Sequence, residues 1–139
     1  TVKTSDVGYK VIDDSYNANP LSVSAAIDVL AATEGGTVLV LGDMAELGSD
    51  AEKLHAEIGA KAKAAGISQL FATGRLSEST ADAFGENGFH FKNKNELIKA
   101  LRKALTGSET VLIKGSRSAA MEEVVERILT QQNNNKRVN

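Results

Sequence analysis

The sequence contains no cysteine, which excludes a disulfide framework, a thiol nucleophile and a zinc-thiolate site. Aromatic residues make up only 4% of it, too few for the stacking platforms that bind single-stranded nucleic acid. We find no signal-peptide pattern and no apolar run long enough to span a bilayer. Acidic and basic residues are interspersed and leave a net charge of −2, so no basic face for binding nucleic acid is expected.

What the sequence does contain is typical of one folded domain. Hydrophobic residues make up 42% of 139 residues, enough to bury a core. Short continuous apolar runs, typical of buried parallel strands, alternate with longer segments of helical spacing. This alternation predicts an α/β fold, a Rossmann-like three-layer α/β/α sandwich with a mostly parallel sheet. We expect residues 1–132 to form the domain, the polar residues 133–139 to be a disordered tail, and the chain, which starts without Met, to be part of a larger protein.

The predicted elements follow from the position of the apolar runs and of the capping residues. We predict strands at 9–13, 37–41, 69–72, 89–91 and 110–113, with a further short strand at 1–3. We predict helices at 20–33, about 50–65, 77–84 with Ser77 as its cap, from Asn93 or Asn95 to 105, and 119 to about 131.

The polar stretch after the first long strand is the strongest candidate for a ligand site. Asn19 can cap the helix that follows, and Pro20 suits its first turn. A strand, a polar turn and a helix start together build ligand sites at the carboxyl edge of open α/β sheets. Asp14 is expected at the strand tip, where a carboxylate can accept hydrogen bonds from ribose hydroxyls, and Asn17 and Asn19 add donors and acceptors. The alternative is that Asp, Ser and Asn simply favour turns and caps.

Two further polar loops, 42–48 and 114–118, also follow apolar strands. Parallel strands end at one edge of a sheet, so all three loops are expected to converge there. In the middle loop, Asp43 and Glu46 could bind a substrate ammonium, orient Lys114 or only face water. The residues alone favour the last of these.

The loop after the last strand combines four residue types suited to anion binding. Lys114 supplies a point charge, Gly115 lets backbone come close to a ligand, and Ser116 and the N–H groups after it can hold an anion. Arg117 has the fork geometry for a carboxylate or phosphate. The alternative is a helix cap flanked by solvated bases. The loop is not a phosphate-binding P-loop, and neither that motif nor Gly-x-Gly-x-x-Gly occurs in the chain.

The two histidines do not indicate catalysis. His55 lies beside the apolar stripe of its helix, which favours a satisfied packing residue over a base. His90 lies in a short edge strand with no partner visible in the sequence. No Ser-His-Asp order and no cluster with metal-ligand spacing is found.

Taken together, the three loops resemble those of the C-terminal domain of the Mur ligase family. The segments that carry the resemblance are Asp13–Pro20, Leu41–Gly48 with His55 and Gly59 after it, and Lys114–Arg117. They are similar to the family members that add D-alanyl-D-alanine to UDP-N-acetylmuramoyl-tripeptide. The resemblance extends from about residue 8 to residue 129.

The resemblance implies a cytoplasmic ligase of peptidoglycan precursor synthesis that uses ATP and Mg²⁺. The peptide carboxylate is phosphorylated to an acyl phosphate, which the incoming amine attacks. It also implies a monomer of three domains, with the UDP-sugar site in the first and the P-loop and magnesium ligands in the central one. This chain would be the third domain, inactive alone, with a six-stranded sheet whose first strand is antiparallel.

Each site residue takes its expected role from the same resemblance. Asp14 would contact the ATP ribose, with Tyr16, Asn17 and Asn19 around the nucleoside. The incoming dipeptide would be bound by Lys114, Gly115, Ser116 and Arg117. Asp43 and Glu46 would shape the same cleft. No catalytic residue and no metal ligand is expected in this domain.

A phospho-acceptor receiver domain is the alternative from another functional class. Receiver domains also end their first strand in an acid pair and carry a lysine after the last strand, as Asp13, Asp14 and Lys114 do here. However, their acceptor aspartate ends the middle strand, whereas Asp43 ends a different one. Gly115 also stands where a receiver carries proline.

Overall fold

A computed structural model describes residues 1–130 of the chain, so the predicted tail at 133–139 lies outside the described residues. The strands are β1 (Val2–Thr4), β2 (Lys10–Asp14), β3 (Thr37–Leu41), β4 (Gln69–Thr73), β5 (Gly88–Phe91) and β6 (Thr110–Lys114). The α-helices are α1 (Pro20–Ala31), α2 (Ala51–Ala64), α3 (Ser77–Phe84), α4 (Lys94–Ala104) and α5 (Glu122–Leu129). Short 3₁₀ turns lie at Gly48–Asp50 and Arg117–Ala119.

The strands form one six-stranded sheet in the order β1-β2-β6-β3-β4-β5. β1 pairs antiparallel with β2, and all other pairs are parallel. The predicted fold class is therefore confirmed, including the antiparallel first strand. β6 is the last strand among residues 1–130 but central in the sheet, and its end residue Lys114 pairs with Asp14 of β2 and Leu41 of β3. The three polar loops thus begin on adjacent strands.

Both faces of the sheet are covered by helices, which explains the continuous apolar runs. All five residues of β3 are buried. Val38 and Val40 pack in the cluster formed with α4 and α5, whereas Leu39 and Leu41 pack in the cluster formed with α1, α2 and α3. Successive side chains of a strand point to opposite faces, so a strand covered on both sides needs apolar residues throughout.

Gly59 allows α2 and α3 to pack in backbone contact. A Cβ placed on Gly59 would lie 2.1 Å from the carbonyl oxygen of Thr80, so no larger residue fits without moving a helix. The helix crossing explains why a glycine stands in the apolar stripe of α2.

The predicted closing helix from 119 to 131 is wrong at its start. Residues Arg117–Ala119 form a 3₁₀ turn, Ala120 is left-handed with φ 53° and ψ 50°, and α5 begins only at Glu122. The helical spacing of apolar residues continues through this bend, so periodicity alone did not reveal it. No helix among residues 1–130 has the length and apolar character that a bilayer crossing requires.

Candidate functional site

The three polar loops meet at the carboxyl edge of the sheet, as predicted. The ammonium of Lys114 lies 2.6 Å from Oδ2 of Asp14 and 3.2 Å from the carbonyl oxygen of Asn17. The Lys114 residue is only 1% exposed, whereas the Asp14 side chain is 49% exposed. The lysine is therefore enclosed by the protein, whereas the carboxylate that it pairs with stays accessible to solvent.

Asn19 starts α1 in the way the sequence predicts. Its side-chain oxygen accepts a hydrogen bond from the backbone N–H of Ser22 at 2.9 Å, and the Ser22 hydroxyl accepts one from the backbone N–H of Asn19 at 3.1 Å. This is a capping box, with Pro20 at the first helical position. Because the cap uses the oxygen of Asn19, its amide NH₂ group is what it can offer to a ligand.

Asp43 connects the segments that follow β3, β4 and β6. Its carboxylate accepts hydrogen bonds from the backbone N–H groups of Leu76 and Ser77, at 3.1 and 2.8 Å, and from the Ser77 hydroxyl at 2.7 Å. Its carbonyl oxygen accepts a hydrogen bond from the backbone N–H of Ser116 at 3.0 Å. The prediction that Ser77 caps α3 is therefore wrong, because Ser77 is the first helical residue and a carboxylate from the loop after β3 accepts the hydrogen bonds of the first backbone N–H groups.

Gly74 makes room for the Asp43 cap. A Cβ on Gly74 would lie 2.4 Å from the Asp43 carboxylate, and its φ of 112° also favours glycine. Sequence reasoning did not find this role of Asp43, because the cap and the helix belong to different elements.

His55 is the buried packing residue that the sequence indicates, and it also fixes the loop after β3. Its Nε2 accepts a hydrogen bond from the backbone N–H of Met44 at 3.0 Å, and its Nδ1 lies 2.7 Å from the carbonyl oxygen of Ala51. Since Nε2 accepts, Nδ1 carries the proton and the ring is neutral. His55 is thus committed to structure and is not available as a base.

Glu46 is an exposed residue of the same loop, which spans residues 42–48. Its backbone is left-handed, with φ 60°, and its side chain is exposed. The left-handed conformation costs a residue with a Cβ about 1–2 kcal/mol. Such local strain is concentrated at functional sites, so Glu46 fits a residue placed to reach a ligand.

Arg117 and Tyr16 lie against each other on the outer side of the site. The guanidinium carbon is 4.8 Å from the ring centroid, and the guanidinium also donates to the Tyr16 hydroxyl. This is a cation–π contact between two exposed side chains. The family resemblance predicts Tyr16 beside the nucleoside and Arg117 beside the dipeptide, and in the structure these two residues are in contact.

Gly115 is explained by packing within its own loop. A Cβ there would lie 2.6 Å from Cγ of Met121 and 3.2 Å from Cβ of Ala119. The neighbouring Gly42 is confined by the same two residues, at 2.8 Å from each. The expectation that Gly115 lets backbone approach a ligand is therefore not needed to account for the glycine.

Three open cavities flank the loop after β6. One, of about 650 Å³, is lined by Asn17, Asn19, Glu46, Ser116 and Arg117, among others. A second, of about 340 Å³, is lined by Asp43, Thr73, Lys92, Ser116 and Ser118, among others. The third, of about 470 Å³, is lined by Asp14, Tyr16 and Arg117, among others. The loop after β6 leads to α5 on one face of the sheet, whereas the loop after β3 leads to α2 on the other face. Ligands of open α/β sheets bind at such a reversal of strand order.

Among residues 1–130, the two groups with shifted pKa values lie away from this edge. Burial raises the pKa of Tyr9, which donates from its hydroxyl to the carbonyl oxygen of Ile128. Burial alone would also raise the pKa of Glu109, but hydrogen bonds from Gly107 and Thr106 outweigh it and lower that pKa. Both residues come just before their strands, at the opposite edge, so these shifts concern stability and not chemistry at the site.

Comparison with known proteins identifies relatives over most of the chain. The family model described as "Mur ligase, glutamate ligase domain" matches residues 1–117. The UDP-N-acetylmuramoyl-tripeptide–D-alanyl-D-alanine ligase of Escherichia coli (strain K12) is 50% identical over 117 residues, which are 83% of this chain and 26% of that protein. The ligase of the same name from Bacillus subtilis (strain 168) is 34% identical over 135 residues, which are 92% of this chain and 29% of that protein.

Solved structures extend the similarity to the fold. A crystal structure of MurF from Acinetobacter baumannii superposes with a TM-score of 0.85 at 27% identity, covering 93% of this chain and 29% of that one. MurF ligase from Thermotoga maritima, in complex with ADP, gives a TM-score of 0.82 at 25% identity, covering 97% and 31%. The chain thus spans between a quarter and a third of the length of these relatives.

Proposed function

Because this chain belongs to the Mur ligase family, we propose that it is the C-terminal domain of an ATP-dependent ligase that joins D-alanyl-D-alanine to UDP-N-acetylmuramoyl-tripeptide. In that reaction the peptide carboxylate accepts the terminal phosphoryl group of ATP, giving an acyl phosphate and ADP. The free amine of the dipeptide then attacks the acyl carbon, an amide bond forms, and phosphate leaves. This domain would supply one wall of the cleft in which these steps occur.

The observation that carries the proposal is the convergence of three loops remote in sequence. Lys114 of β6 pairs with Asp14 of β2 at 2.6 Å, and Ser116 donates its backbone N–H to the carbonyl oxygen of Asp43 at 3.0 Å. Each segment on which the family resemblance rests therefore reaches the same sheet edge. That placement is what a shared nucleotide and dipeptide cleft requires.

The loop after β2 forms the nucleotide side of the proposed cleft. The accessible carboxylate of Asp14 can accept hydrogen bonds from ribose hydroxyls, and the amides of Asn17 and Asn19 line the cavity beside it. Tyr16 is 71% exposed, and its ring contacts the guanidinium of Arg117. An aromatic ring, two amides and a carboxylate are groups that can together bind a nucleoside. Lys114, being buried behind Asp14, acts here by positioning that carboxylate.

The loops after β3 and β6 form the dipeptide side. The exposed guanidinium of Arg117 suits the free carboxylate of the dipeptide, and the exposed carboxylate of Glu46 suits its ammonium. Ser116 lines two of the three cavities and adds a hydroxyl. Asp43 and Gly115 serve this side indirectly, because the carboxylate of Asp43 is engaged at α3 and Gly115 is enclosed by Met121.

The remaining parts of the reaction fall to other domains of the full-length protein. Among residues 1–130 no group of three or more His, Asp or Glu side chains could hold a metal ion, so we assign Mg²⁺ to no residue of this chain. The P-loop motif is absent from the sequence as well. We therefore propose that the isolated domain is inactive. From the family resemblance we also propose that the whole protein is monomeric and works in the cytoplasm, where ATP is present.

The receiver-domain alternative loses support from both the family match and the geometry. Asp43, the acid nearest to an acceptor position, uses its carboxylate to cap α3. Incubation with Mg²⁺ and acetyl phosphate separates the two functions, since only a receiver gains an acid-labile phosphate.

Activity of the full-length protein tests the proposal. The protein is incubated with ATP, Mg²⁺ and UDP-N-acetylmuramoyl-tripeptide, with or without D-alanyl-D-alanine. We expect phosphate release that depends on the dipeptide and matches the amide product mole for mole in mass spectrometry. Phosphate release without an amide product, or none in the presence of all substrates, would contradict the proposal.

A further inference from the structure

The turn between β6 and α5 has an unusual backbone. Ala120 adopts the left-handed conformation, with φ 53° and ψ 50°, at the end of the 3₁₀ turn Arg117–Ala119. This conformation brings the Cβ of an L-residue close to its own carbonyl oxygen, so it persists only where surrounding contacts hold it. The backbone N–H of Ala120 donates to the carbonyl oxygen of Arg117 at 3.1 Å, which closes the turn on its inner side.

Lys94, the first residue of α4, holds the outer side of this turn. Its ammonium donates to the carbonyl oxygens of Ala119 and Ala120 at 3.3 and 3.1 Å, and it lies 3.5 Å from the carboxylate of Glu123. The end of a helical turn leaves carbonyl groups without intrahelical partners, and an ammonium is a suitable donor to them. The ammonium of Lys94 is thus surrounded by two carbonyl oxygens, to which it donates, and by one carboxylate, with which it forms an ion pair.

The turn that Lys94 holds carries two residues of the proposed dipeptide side. Ser116 and Arg117 precede Ala119 and Ala120, with Ser118 between them, and the backbone N–H groups of Ala119 and Ala120 donate to the carbonyl oxygens of Ser116 and Arg117 at 3.0 and 3.1 Å. A change in the backbone at Ala120 would therefore alter the turn that both residues help to form. Lys94 itself lines the cavity of about 340 Å³ beside this loop, but its ammonium donates to backbone oxygens of the turn.

We infer that Lys94 is a positioning residue, which fixes the left-handed turn at Ala120 and thereby aims Ser116 and Arg117 into the cleft. This inference rests on the proposed function. It differs from substrate contact by Lys94 in one testable respect. If Lys94 acts by holding the turn, a residue that adopts the left-handed conformation without steric cost should replace part of its effect, and glycine is that residue.

The test uses the full-length protein with Lys94→Met, Lys94→Arg, Ala120→Gly and the double variant Lys94→Met with Ala120→Gly. Lys94→Met removes the ammonium and keeps an unbranched chain. We expect it to raise the KM for the dipeptide about tenfold, because a small displacement of a substrate-positioning group has effects of this order, while the KM for ATP changes by less than about threefold. Lys94→Arg should restore most of the loss. Adding Ala120→Gly to Lys94→Met should restore at least half of it on a logarithmic scale.

Lys61→Met is the matched control. Lys61 is also a partly buried lysine with an acidic partner, Asp28, at 3.1 Å, but it lies on α2 away from the turn. We expect its KM values to equal those of the wild type. Melting temperatures of all variants are measured as well, since a purely structural role of Lys94 would lower Tm and leave the KM for the dipeptide unchanged.

The outcomes separate this inference from the proposed function. If the wild type shows no ligation that depends on the dipeptide, the proposed function fails and the inference fails with it. If the wild type is active but Lys94→Met keeps the wild-type KM for the dipeptide, only the inference is overturned. If Lys94→Met raises that KM but Ala120→Gly restores nothing, Lys94 contacts the substrate directly and the positioning role is wrong.

Discussion

Lys114 and Asp14 are 100 residues apart in sequence, yet their charged groups lie 2.6 Å apart at the ends of two paired strands. The pair is asymmetric, because the lysine is buried and the aspartate is half-exposed. Removing one partner therefore has a different consequence from removing the other. A buried ammonium without its carboxylate is costly, whereas a half-exposed carboxylate can be hydrated instead.

This asymmetry predicts unequal losses of stability. We expect Asp14→Ala to lower the free energy of unfolding by about 1–3 kcal/mol, since it leaves Lys114 buried with the carbonyl oxygen of Asn17 as its remaining acceptor. Lys114→Met should cost less than about 1 kcal/mol, because an apolar chain of similar size replaces the ammonium. Urea unfolding of the two variants and the double variant measures both losses and their coupling.

Asp28→Ala is the control for this pair, because Asp28 forms an exposed ion pair with Lys61. Its loss should stay below about 1 kcal/mol. A larger loss for Lys114→Met than for Asp14→Ala would contradict the asymmetry.

A second prediction concerns the carboxylate that caps α3 from outside the helix. Asp43→Ala removes the acceptor for the backbone N–H groups of Leu76 and Ser77, so it should cost about 1–2 kcal/mol of stability. The comparison variant is Asn93→Ala, which removes a single cap bond, to Glu96, from the start of α4. Thermal unfolding of both should show the larger fall in Tm for Asp43→Ala. A smaller fall would mean that Asp43 contributes less than an ordinary cap.

A third prediction concerns pH. Hydrogen bonds from Gly107 and Thr106 outweigh the effect of burial and hold the pKa of Glu109 below its ordinary value of 4.5. A carboxyl group whose pKa is lower in the folded state stabilises the fold above its unfolded pKa, and this contribution is lost as the pH falls through the folded pKa. Glu109→Gln should therefore cost about 1–2 kcal/mol at pH 7, and the difference from the wild type should narrow below about pH 4.

The measurement is the free energy of urea unfolding at several pH values between neutral and acid. Glu86→Gln serves as the control, because Glu86 is an exposed glutamate at the turn before β5, and its effect should stay within about 0.5 kcal/mol. A gap between Glu109→Gln and the wild type that stays constant down to acid pH would show that the charge of Glu109 is not responsible.

A fourth prediction is that the isolated domain binds ATP or ADP weakly. It offers a nucleoside side but has no P-loop for the phosphates, so we expect a Kd above about 1 mM, or roughly −4 kcal/mol. An NMR titration should show small shifts at Asp14, Tyr16, Asn17 and Asn19 that do not depend on magnesium. Tight, magnesium-dependent binding would contradict the proposal that other domains hold the phosphates and the metal ion.

The parts of the site that follow from local pattern could be predicted from the sequence. Apolar runs of strand length locate the tips of β2, β3 and β6, and parallel pairing brings the three tips to one edge. Asn19 and Pro20 mark the start of α1 because the whole capping box lies within four residues. The resemblance to one family added the roles, which the residues alone left open.

The contacts that sequence analysis missed all join different elements. Asp43 caps a helix that begins more than thirty residues later in the sequence. His55 of α2 accepts a hydrogen bond from the backbone N–H of Met44, which lies in the loop after β3. Lys94 holds a turn beyond the next strand. No periodicity or capping pattern signals a side chain whose partner is a distant backbone group. The bend at Ala120 was missed for a related reason, because its cause lies in α4 and not in its own segment.

The central place of β6 has a consequence for how the chain acquires its fold during synthesis. β2 and β3 pair with β6 and not with each other, so no continuous sheet exists until β6 has been inserted between them. While the nascent polypeptide still lacks its last strand, the apolar flanks of β2 and β3 stay open to solvent and to chaperones. Completing the sheet then requires contacts between residues that are far apart in the sequence, and such contacts slow folding. A ribosome stalled before β6 should therefore carry a protease-sensitive chain, and one stalled after α5 has emerged should carry a protected domain.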